Sequence, residues 1–293
     1  MLAGHHVLHT LQNSPTGSRS VLVGVLNPAA TLNSQAAMTQ HLMYTEPPPV
    51  PEGAALRLYS CPICPYAERV RLILALKNVP YDEVNIHLSA QPDWFTTRVN
   101  RYHEVPVAEV NGKLIRESLI IFDYIDQVFG GGSSLWPTDP YLKAKARLIL
   151  TDFGNNFIGA WYGMYRGSPD QETLDNFKRF LKELEDIIQE NGNKFFQAGD
   201  TPGAVDFLIW PWFERIGALK LLNPEATTFL SESNYPILFG WISRMKEVEA
   251  VKRVALPDSA HFGFYKGYVG TGQHDYGVAD ISGKGITVYA KEK

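Results

Sequence analysis

The sequence of 293 residues contains only two cysteines, Cys61 and Cys64, which excludes a secreted scaffold held together by several disulfides. It also lacks a strong charge of either sign, because 27 Lys and Arg stand against 31 Asp and Glu, so nothing indicates binding to nucleic acid or to an anionic membrane. No apolar run approaches the about 18 residues that a membrane-spanning helix needs. The hydrophobic content of 45% is typical of a globular protein, and the length favours two domains.

Acidic residues are absent from the first 45 residues, where Arg19 is the only Lys or Arg. The proline-rich run Pro47-Pro48-Pro49-Val50-Pro51 follows after Glu46. Because this stretch shows no apolar periodicity, we predict a disordered leader over residues 1–50. A mitochondrial transit peptide is the alternative, although such peptides usually carry several arginines. We therefore expect a cytoplasmic protein, with mitochondrial import as the second interpretation.

Residues 51–132 alternate between strand and helix patterns. Asn111-Gly112 between two apolar runs predicts a β-hairpin, because both residues tolerate the positive φ of a tight turn. Pro65 favours the start of a helix, and Gly130-Gly131-Gly132 favours the end of another. The predicted elements are a strand at 56–59, a helix at 65–77, a strand at 81–87, a short helix near 94–95, strands at 105–110 and 113–115, and a helix at 118–129. This β-α-β-α-β-β-α order predicts an α/β thioredoxin-like N-terminal domain.

Strand patterns nearly vanish after a linker at 130–140. The stretch Ser168-Pro169-Asp170-Gln171 predicts a capping box at the start of a helix, because apolar residues then recur along one helical face. Helices are also predicted at 141–165 and 204–221, the latter with a kink at Pro211. We therefore predict an all-α C-terminal domain over residues 141–285.

The motif Cys61-Pro62-Ile63-Cys64 follows a predicted strand and precedes a helix that starts at Pro65. Cys64 would then stand at the helix N-terminus, where unpaired N–H groups and about half a positive charge favour a thiolate. We expect this position to lower the pKa of Cys64 below the free-thiol value of about 8.5, which makes Cys64 the candidate nucleophile. The alternatives are one half of a zinc site, a structural cysteine and a dithiol redox centre. Outside the leader no second Cys or His pair has metal-ligand spacing, and we expect no metal.

Two more motifs have roles beside a reactive cysteine. Val105-Pro106 stands where a thioredoxin-like fold places a cis-proline, which exposes backbone groups to a peptide-like ligand. Glu117-Ser118 opens the next predicted helix, whose N–H groups suit a carboxylate. Alone, Ser118 would be an ordinary helix cap. Together with Cys64, these motifs indicate a site for a small peptide that carries a carboxylate and a thiol, as glutathione does.

These motifs belong to a longer pattern, from Pro51 to Tyr276, that resembles the omega-class glutathione transferases. The matching stretches are Pro51-Glu52-Gly53, Cys64-Pro65-Tyr66-Ala67-Glu68-Arg69, Pro92-Asp93-Trp94-Phe95, Val105-Pro106-Val107, Glu117-Ser118, Asp206-Phe207-Leu208-Ile209-Trp210-Pro211-Trp212-Phe213-Glu214-Arg215 and Asp275-Tyr276-Gly277. The resemblance implies a homodimer and a mixed disulfide between Cys64 and glutathione. It implies that glutathione, a co-substrate used without any cofactor, contacts Tyr66, Val105, Glu117 and Ser118. The implied activities are thiol transfer, dehydroascorbate reduction and methylarsonate reduction.

Several positions depart from the pattern of that family. Gln91 replaces a basic residue and so removes one expected glutathione contact, and residues 100–104 replace the usual lead into the cis-proline. Gly203 stands at a helix cap that is commonly Ser or Thr. His261 stands where the family often has a tryptophan over the cleft for the second substrate. Cys61 adds a candidate resolving thiol, which we expect to be dispensable when glutathione is present.

We predict a glutathione-dependent thiol transferase and dehydroascorbate reductase that acts on small oxidised substrates. The alternative is a chloride intracellular channel-like membrane or interaction protein, which shares the fold and a Cys-Pro motif. Glu68, Arg69 and Arg71 interrupt the apolar character of the helix that such a protein would insert, which argues against membrane insertion. A non-enzymatic glutathione-binding protein is a further alternative, since binding without turnover would use the same motifs.

Overall fold

The computed structural model describes residues 40–43, 46–165, 169–271, 275–276 and 287–291. The predicted leader therefore lies largely outside the described residues, together with Ser168 of the predicted capping box and Gly277 of the family pattern. The mitochondrial interpretation of the leader and the domain boundaries at 1–50, 51–132 and 141–285 stay predictions.

One mixed sheet of six strands organises the N-terminal part of the chain. Its order is β1-β6-β3-β2-β4-β5. The fully buried strand β2 pairs in parallel with β3 and antiparallel with β4. The strands are β1 (Gln40–Met43), β2 (Leu56–Ser60), β3 (Tyr81–Ile86), β4 (Val107–Val110), β5 (Lys113–Arg116) and β6 (Thr287–Ala290).

Helices α1 (Pro65–Leu76) and α2 (Ser118–Val128) complete the predicted β-α-β-α-β-β-α unit, with a π-helical turn at Phe95–Val99 between β3 and β4. Asn111 and Gly112 both have positive φ, at 50° and 72°, so β4 and β5 are joined by the tight turn that these residues favour. The Val105–Pro106 peptide bond is cis. The thioredoxin-like fold is confirmed.

The rest of the described chain is helical up to Thr271. The helices are α3 (Pro140–Asp152), α4 (Ile158–Tyr165), α5 (Gln171–Glu190), α6 (Ala204–Glu214), α7 (Ile216–Leu222), α8 (Pro236–Lys246), α9 (Glu249–Val254) and α10 (Asp258–Thr271). Within the described ranges, none of these helices has both the length and the apolar character to span a bilayer. Helix α1 contacts α6 and α9, so residues on α1 can bond to both halves of the protein.

The helix ends differ from the sequence prediction in three places. The helix predicted at 141–165 contains a π-helical turn, Phe153–Phe157, between α3 and α4. The helix predicted at 204–221 is divided at Arg215 into α6 and α7, where the Arg215 amide donates to the Trp212 carbonyl three residues back, and Pro211 lies inside α6. Asp170 caps α5 by accepting from the Thr173 amide at 2.8 Å, so the helix begins after the predicted proline.

Strands β1 and β6 were not predicted. β6 pairs in parallel with the end of β3, and the Lys291 amide continues the contact by donating to the Ala90 carbonyl at 2.7 Å. β1 pairs with β6, so residues 40–43, which lie within the predicted leader, form part of the sheet. A four-residue strand that pairs with a segment about two hundred residues away leaves little local pattern to detect.

Candidate active site

Cys64 stands at the N-cap of α1 with an extended backbone, at φ −71° and ψ 120°, and Pro65 opens the helix as predicted. Its carbonyl accepts the first helical bond, from the Glu68 amide at 3.0 Å. The side chain is partly exposed, and its Sγ lies 3.9 Å from the Val105 carbonyl oxygen at the cis peptide. The two sequence motifs that flank the predicted site are therefore in contact.

The electrostatic surroundings of Cys64 differ from the sequence prediction. Burial raises the pKa of the Cys64 thiol above its ordinary value. The N–H groups of Tyr66 and Ala67 and the charges of Arg71 and Arg215 act in the lowering direction, but burial outweighs them. The predicted lowering of the pKa is therefore wrong, because the argument from the helix end leaves out the cost of placing a charge away from water.

Two arginines hold the loop between the cysteines. Arg71 donates from Nη1 to the Cys61 carbonyl at 3.1 Å and from Nη2 to the Pro62 carbonyl at 2.7 Å. Arg215 donates from Nη2 to the Ile63 carbonyl at 2.7 Å. Three successive carbonyls thus accept from guanidinium groups, one on α1 and one between α6 and α7. Sequence analysis missed this role, although an arginine within an apolar helix face was the available signal.

Arg215 also forms a buried ion pair. Its Nη1 lies 2.6 Å from Glu68 Oε2, and the two side chains are 0% and 1% exposed. A second buried pair stands beside it, where His261 Nε2 lies 3.0 Å from Glu214 Oε1. Burial lowers the pKa of His261 well below its ordinary value. His261 is fully enclosed and does not border the cleft, so the expectation that it replaces a tryptophan over the second substrate is wrong.

A cavity of about 340 Å³ opens beside Val105, and we name it the Ser118 cavity. All four residues predicted to contact glutathione border it. Asn100, Glu104 and Arg116 are further lining residues that sequence analysis did not identify. The lining residues are Tyr66, Asn100, Glu104, Val105, Pro106, Arg116, Glu117 and Ser118.

The walls of the Ser118 cavity carry charges of both signs. Glu117 has φ 68°, a left-handed conformation that is uncommon for a residue with a side chain and that concentrates at binding sites. Arg116 stacks its guanidinium on the Tyr102 ring, 4.0 Å from the ring centroid. Gln91 does not line the cavity, because its amide donates to the His103 carbonyl at 2.7 Å.

A second cavity, of about 250 Å³, borders Cys64 on its other side, and we name it the tyrosine cavity. Tyr162 and Tyr165 come from α4, whereas Phe264, Tyr265 and Tyr268 come from α10. Cys61, Ile63, Cys64, Pro65 and Leu88 form the rest of its wall. Cys64 lines this cavity and its Sγ contacts Val105, which lines the Ser118 cavity, so the cysteine lies between the two cavities.

Cys61 is a free thiol like Cys64, but it is completely buried. Burial raises the pKa of Cys61 to about 12, so its thiolate is scarce at neutral pH. Within the described residues no group of three or more His, Cys, Asp or Glu side chains is arranged to hold a metal ion. The zinc alternative therefore gains no support from these residues.

Comparisons with known proteins agree with this geometry. The family model described as Glutathione S-transferase, N-terminal domain matches residues 58–133. Glutathione S-transferase omega-2 of Rattus norvegicus is 34% identical over 226 residues, which cover 76% of this chain and 87% of the relative. Pyrimidodiazepine synthase of Drosophila melanogaster is 35% identical, over 72% of this chain and 86% of the relative.

Among solved structures, the Tau class glutathione S-transferase from mango, Mangifera indica, superposes with a TM-score of 0.66 at 26% identity, over 72% of this chain and 97% of the other. None of these three proteins supports the channel-like alternative. Since the sequence match extends over most of both chains and across both halves of the fold, this chain belongs to the omega class of the glutathione transferase family.

Proposed function

We propose that this transferase is a glutathione-dependent thiol transferase and dehydroascorbate reductase whose nucleophile is Cys64. The observation that carries the proposal is the position of Cys64 Sγ, which lies 3.9 Å from the Val105 carbonyl and also borders the tyrosine cavity. A thiol at this junction can exchange with a sulfur held in one cavity and reduce a molecule held in the other.

Glutathione would occupy the Ser118 cavity in an extended form. The ammonium of its γ-glutamyl end would pair with Glu117, and the carboxylate beside that ammonium would meet Ser118 at the start of α2. The backbone of Val105 would pair with the cysteinyl residue, as an exposed strand edge pairs with a peptide. Tyr66 would close the wall nearest Cys64.

The proposed chemistry is disulfide exchange. The Cys64 thiolate attacks the glutathione sulfur of a mixed disulfide RS–SG, so that a Cys64–SG bond forms and the RS⁻ that leaves takes a proton from water. A glutathione thiolate then attacks the same glutathione sulfur, which forms GSSG and restores the Cys64 thiolate. The net reaction converts RSSG and GSH into RSH and GSSG. For dehydroascorbate, two glutathione thiols supply the two electrons and two protons that form ascorbate and GSSG.

Oxidised substrates would bind in the tyrosine cavity. The Tyr162 hydroxyl would offer a hydrogen bond to a carbonyl or arsenic-bound oxygen, and the aromatic rings would offer an apolar surface to a flat molecule. Dehydroascorbate, methylarsonate and glutathionylated thiols fit this chemistry. We propose that no metal or prosthetic group takes part, which dialysis of the active enzyme against a chelator would test by leaving activity unchanged.

Cys61 has a subordinate role in this proposal. Its burial and its pKa of about 12 make it a poor nucleophile at neutral pH, so glutathione and not Cys61 would release the Cys64 mixed disulfide. Cys61 stays a candidate resolving thiol under oxidant, when a disulfide with Cys64 would protect Cys64 from overoxidation.

We also propose a homodimer. Apolar side chains are exposed in two groups, one in the loop before Pro106, on β5 and on α2, and the other on α3, and a two-fold axis could bring the two groups together. These side chains are Tyr102, Leu114, Leu119 and Ile120 in the first group, and Tyr141, Leu142 and Leu148 in the second. Light scattering after gel filtration should give twice the chain mass, and Leu148→Glu should reduce it to the monomer mass.

A cytoplasmic location completes the proposal. Fusion of residues 1–50 to a fluorescent protein tests it, because mitochondrial fluorescence would establish the alternative.

Three substrates measured side by side test the activity. With glutathione, the wild type should reduce hydroxyethyl disulfide and dehydroascorbate rapidly and conjugate chlorodinitrobenzene slowly. Cys64→Ala should lose both reductions, while the matched control Cys61→Ala keeps most of them. Thiol transfer by Cys64→Ala at the wild-type rate would contradict the mechanism, and glutathione binding without turnover on any substrate would favour the non-enzymatic alternative.

A further inference from the structure

Four arginines of the described residues are buried, and one of them has no carboxylate partner. Arg57, Arg71 and Arg215 each form an ion pair with an Asp or Glu. Arg69 on α1 is 4% exposed, yet within the part of the chain that the structure describes it pairs with no carboxylate. A buried cation without a counter-ion is costly, and perturbed charged groups that lie beside a cleft cluster at functional sites.

The contacts of Arg69 lead to the Ser118 cavity. Its Nε donates to the Leu208 carbonyl of α6 at 2.7 Å, and its Nη1 donates to Ser118 Oγ at 3.2 Å. The guanidinium also lies on the faces of Trp212 and Tyr66, with 4.5 and 5.5 Å to the ring centroids. Both rings attract the cation without neutralising it, so its positive charge extends toward Ser118.

The hydrogen bond from Arg69 determines what Ser118 can do. The hydroxyl of Ser118 has one proton, and its oxygen already accepts from Arg69. The proton is therefore free to point into the cavity that Ser118 lines, where a carboxylate can accept it. A hydroxyl polarised by a buried cation is a stronger donor than an ordinary helix-cap serine.

We propose that Arg69 is a positioning residue that acts through Ser118 to select the α-carboxylate of the γ-glutamyl group. This inference rests on the proposed binding of glutathione and adds a specificity determinant to it. Burial lowers the pKa of Arg69 to about 10, which still leaves it charged at neutral pH. Because Arg69 also donates to the Leu208 carbonyl of α6, the helical half of the protein would help to orient the carboxylate subsite.

Two reduced ligands separate this role from simple packing. One is glutathione, and the other is 4-aminobutyryl-cysteinyl-glycine, which lacks only the α-carboxylate. The measured quantity is the ratio of their dissociation constants by calorimetry under reductant. In the wild type, glutathione should bind about tenfold or more tightly than the analogue, as one charge-assisted hydrogen bond allows.

In Arg69→Gln the ratio should fall close to one. The binding of glutathione should weaken by about tenfold, while the dissociation constant of the analogue should hardly change. Ser118→Ala should lower the ratio similarly, and the double variant should lose little more, because the two residues act in one chain of contacts. Arg69→Lys keeps the charge but cannot reach both Leu208 and Ser118, so its ratio should be intermediate. Arg179→Gln, on the exposed face of α5, is the matched control and should keep the wild-type ratio.

A ratio in Arg69→Gln equal to that of the wild type would overturn the inference. An equal loss of affinity for both ligands would also overturn it, because Arg69 would then act through packing alone. If Arg69→Gln does not fold, Arg69→Lys and Ser118→Ala decide the question, and wild-type ratios in both would overturn it. Absence of glutathione binding in the wild type would instead refute the proposed function itself.

Discussion

Replacement of Arg215 by methionine tests how the helical half of the protein supports the cysteine loop. The guanidinium binds Glu68 at 2.6 Å and the Ile63 carbonyl at 2.7 Å, and it also donates to the Pro211 carbonyl. Methionine fills much of the same space but carries no charge and no donor. The substitution therefore removes the guanidinium partner of one buried carboxylate and of two carbonyls.

The expected loss follows from these contacts. Removal of one partner of a buried ion pair costs about 3–5 kcal/mol, and an orphaned buried acceptor costs about 1–3 kcal/mol. The contributions overlap, so we expect the free energy of unfolding to fall by about 4 kcal/mol or more. Such a loss is a large part of the about 5–15 kcal/mol that stabilises a typical protein, and it corresponds to a drop in Tm of about 8–16 °C.

Urea unfolding followed by tryptophan fluorescence, together with calorimetric Tm, measures this loss. Arg147→Met is the matched control, because Arg147 pairs with Asp123 at 2.8 Å while half exposed. Its loss should be about 0–1 kcal/mol. Glu68→Leu combined with Arg215→Met should recover part of the stability, because the double variant buries no unpaired charge.

Activity gives a second readout of the same substitution. Because Ile63 precedes Cys64, loss of its anchor should slow thiol transfer at temperatures where Arg215→Met is still folded. Equal stability losses in Arg215→Met and Arg147→Met would refute the reasoning. A double variant with Glu68→Leu that is less stable than either single variant would also refute it, since the unpaired charge would then not be the cause.

Four further predictions follow from the site and the fold. The rate of iodoacetamide alkylation of Cys64 should rise with pH to a midpoint above the ordinary thiol value, because burial raises its pKa; a midpoint below neutral pH would show that the helix terminus dominates. Glu117→Ala and Ser118→Ala should each weaken glutathione binding by about 1–3 kcal/mol in calorimetry, with a smaller effect on kcat. Cys61→Ala should keep most thiol transfer but gain Cys64 sulfinic acid under peroxide, and mass spectrometry that finds no Cys61–Cys64 disulfide at any dose in the wild type would remove the protective role. Deletion of residues 1–45 should leave activity and Tm nearly unchanged, because the strand it removes, β1, is an edge strand that pairs with β6 alone; a large fall in Tm would show that β1 is needed.

The elements around the site were predictable because their signals are local. Asn111-Gly112 can adopt the positive φ angles of a tight turn, and the hairpin follows from that preference alone. Pro65 opens a helix because it needs no hydrogen-bonded amide there, which places Cys64 at the N-cap. The cis peptide before Pro106 was also expected, but that expectation rested on the place of the Val105-Pro106 motif in a thioredoxin-like order of strands.

Longer-range pairing was not predictable from such signals. Strand β6 has only four residues, and it is held in the sheet by pairing with β3, which lies far away in the chain. The division between α6 and α7 falls at Arg215, whose side chain bonds to Glu68 and to the Ile63 carbonyl in the other half of the protein. Local propensity contains no information on these partners.

The sequence by itself predicted the site residues and their local positions: Cys64 at a helix start, Val105 before a cis-proline, and Glu117 and Ser118 at the next helix start. The structure brings Val105, Glu117 and Ser118 to one cavity, with Cys64 in contact with Val105. Only the tertiary structure decided their electrostatic state. Burial raises the pKa of Cys64, and the Ser118 hydroxyl accepts from Arg69, a cation on another helix. Burial and contact are properties of how helices and strands pack together, and they therefore arise only when the distant parts of the chain meet.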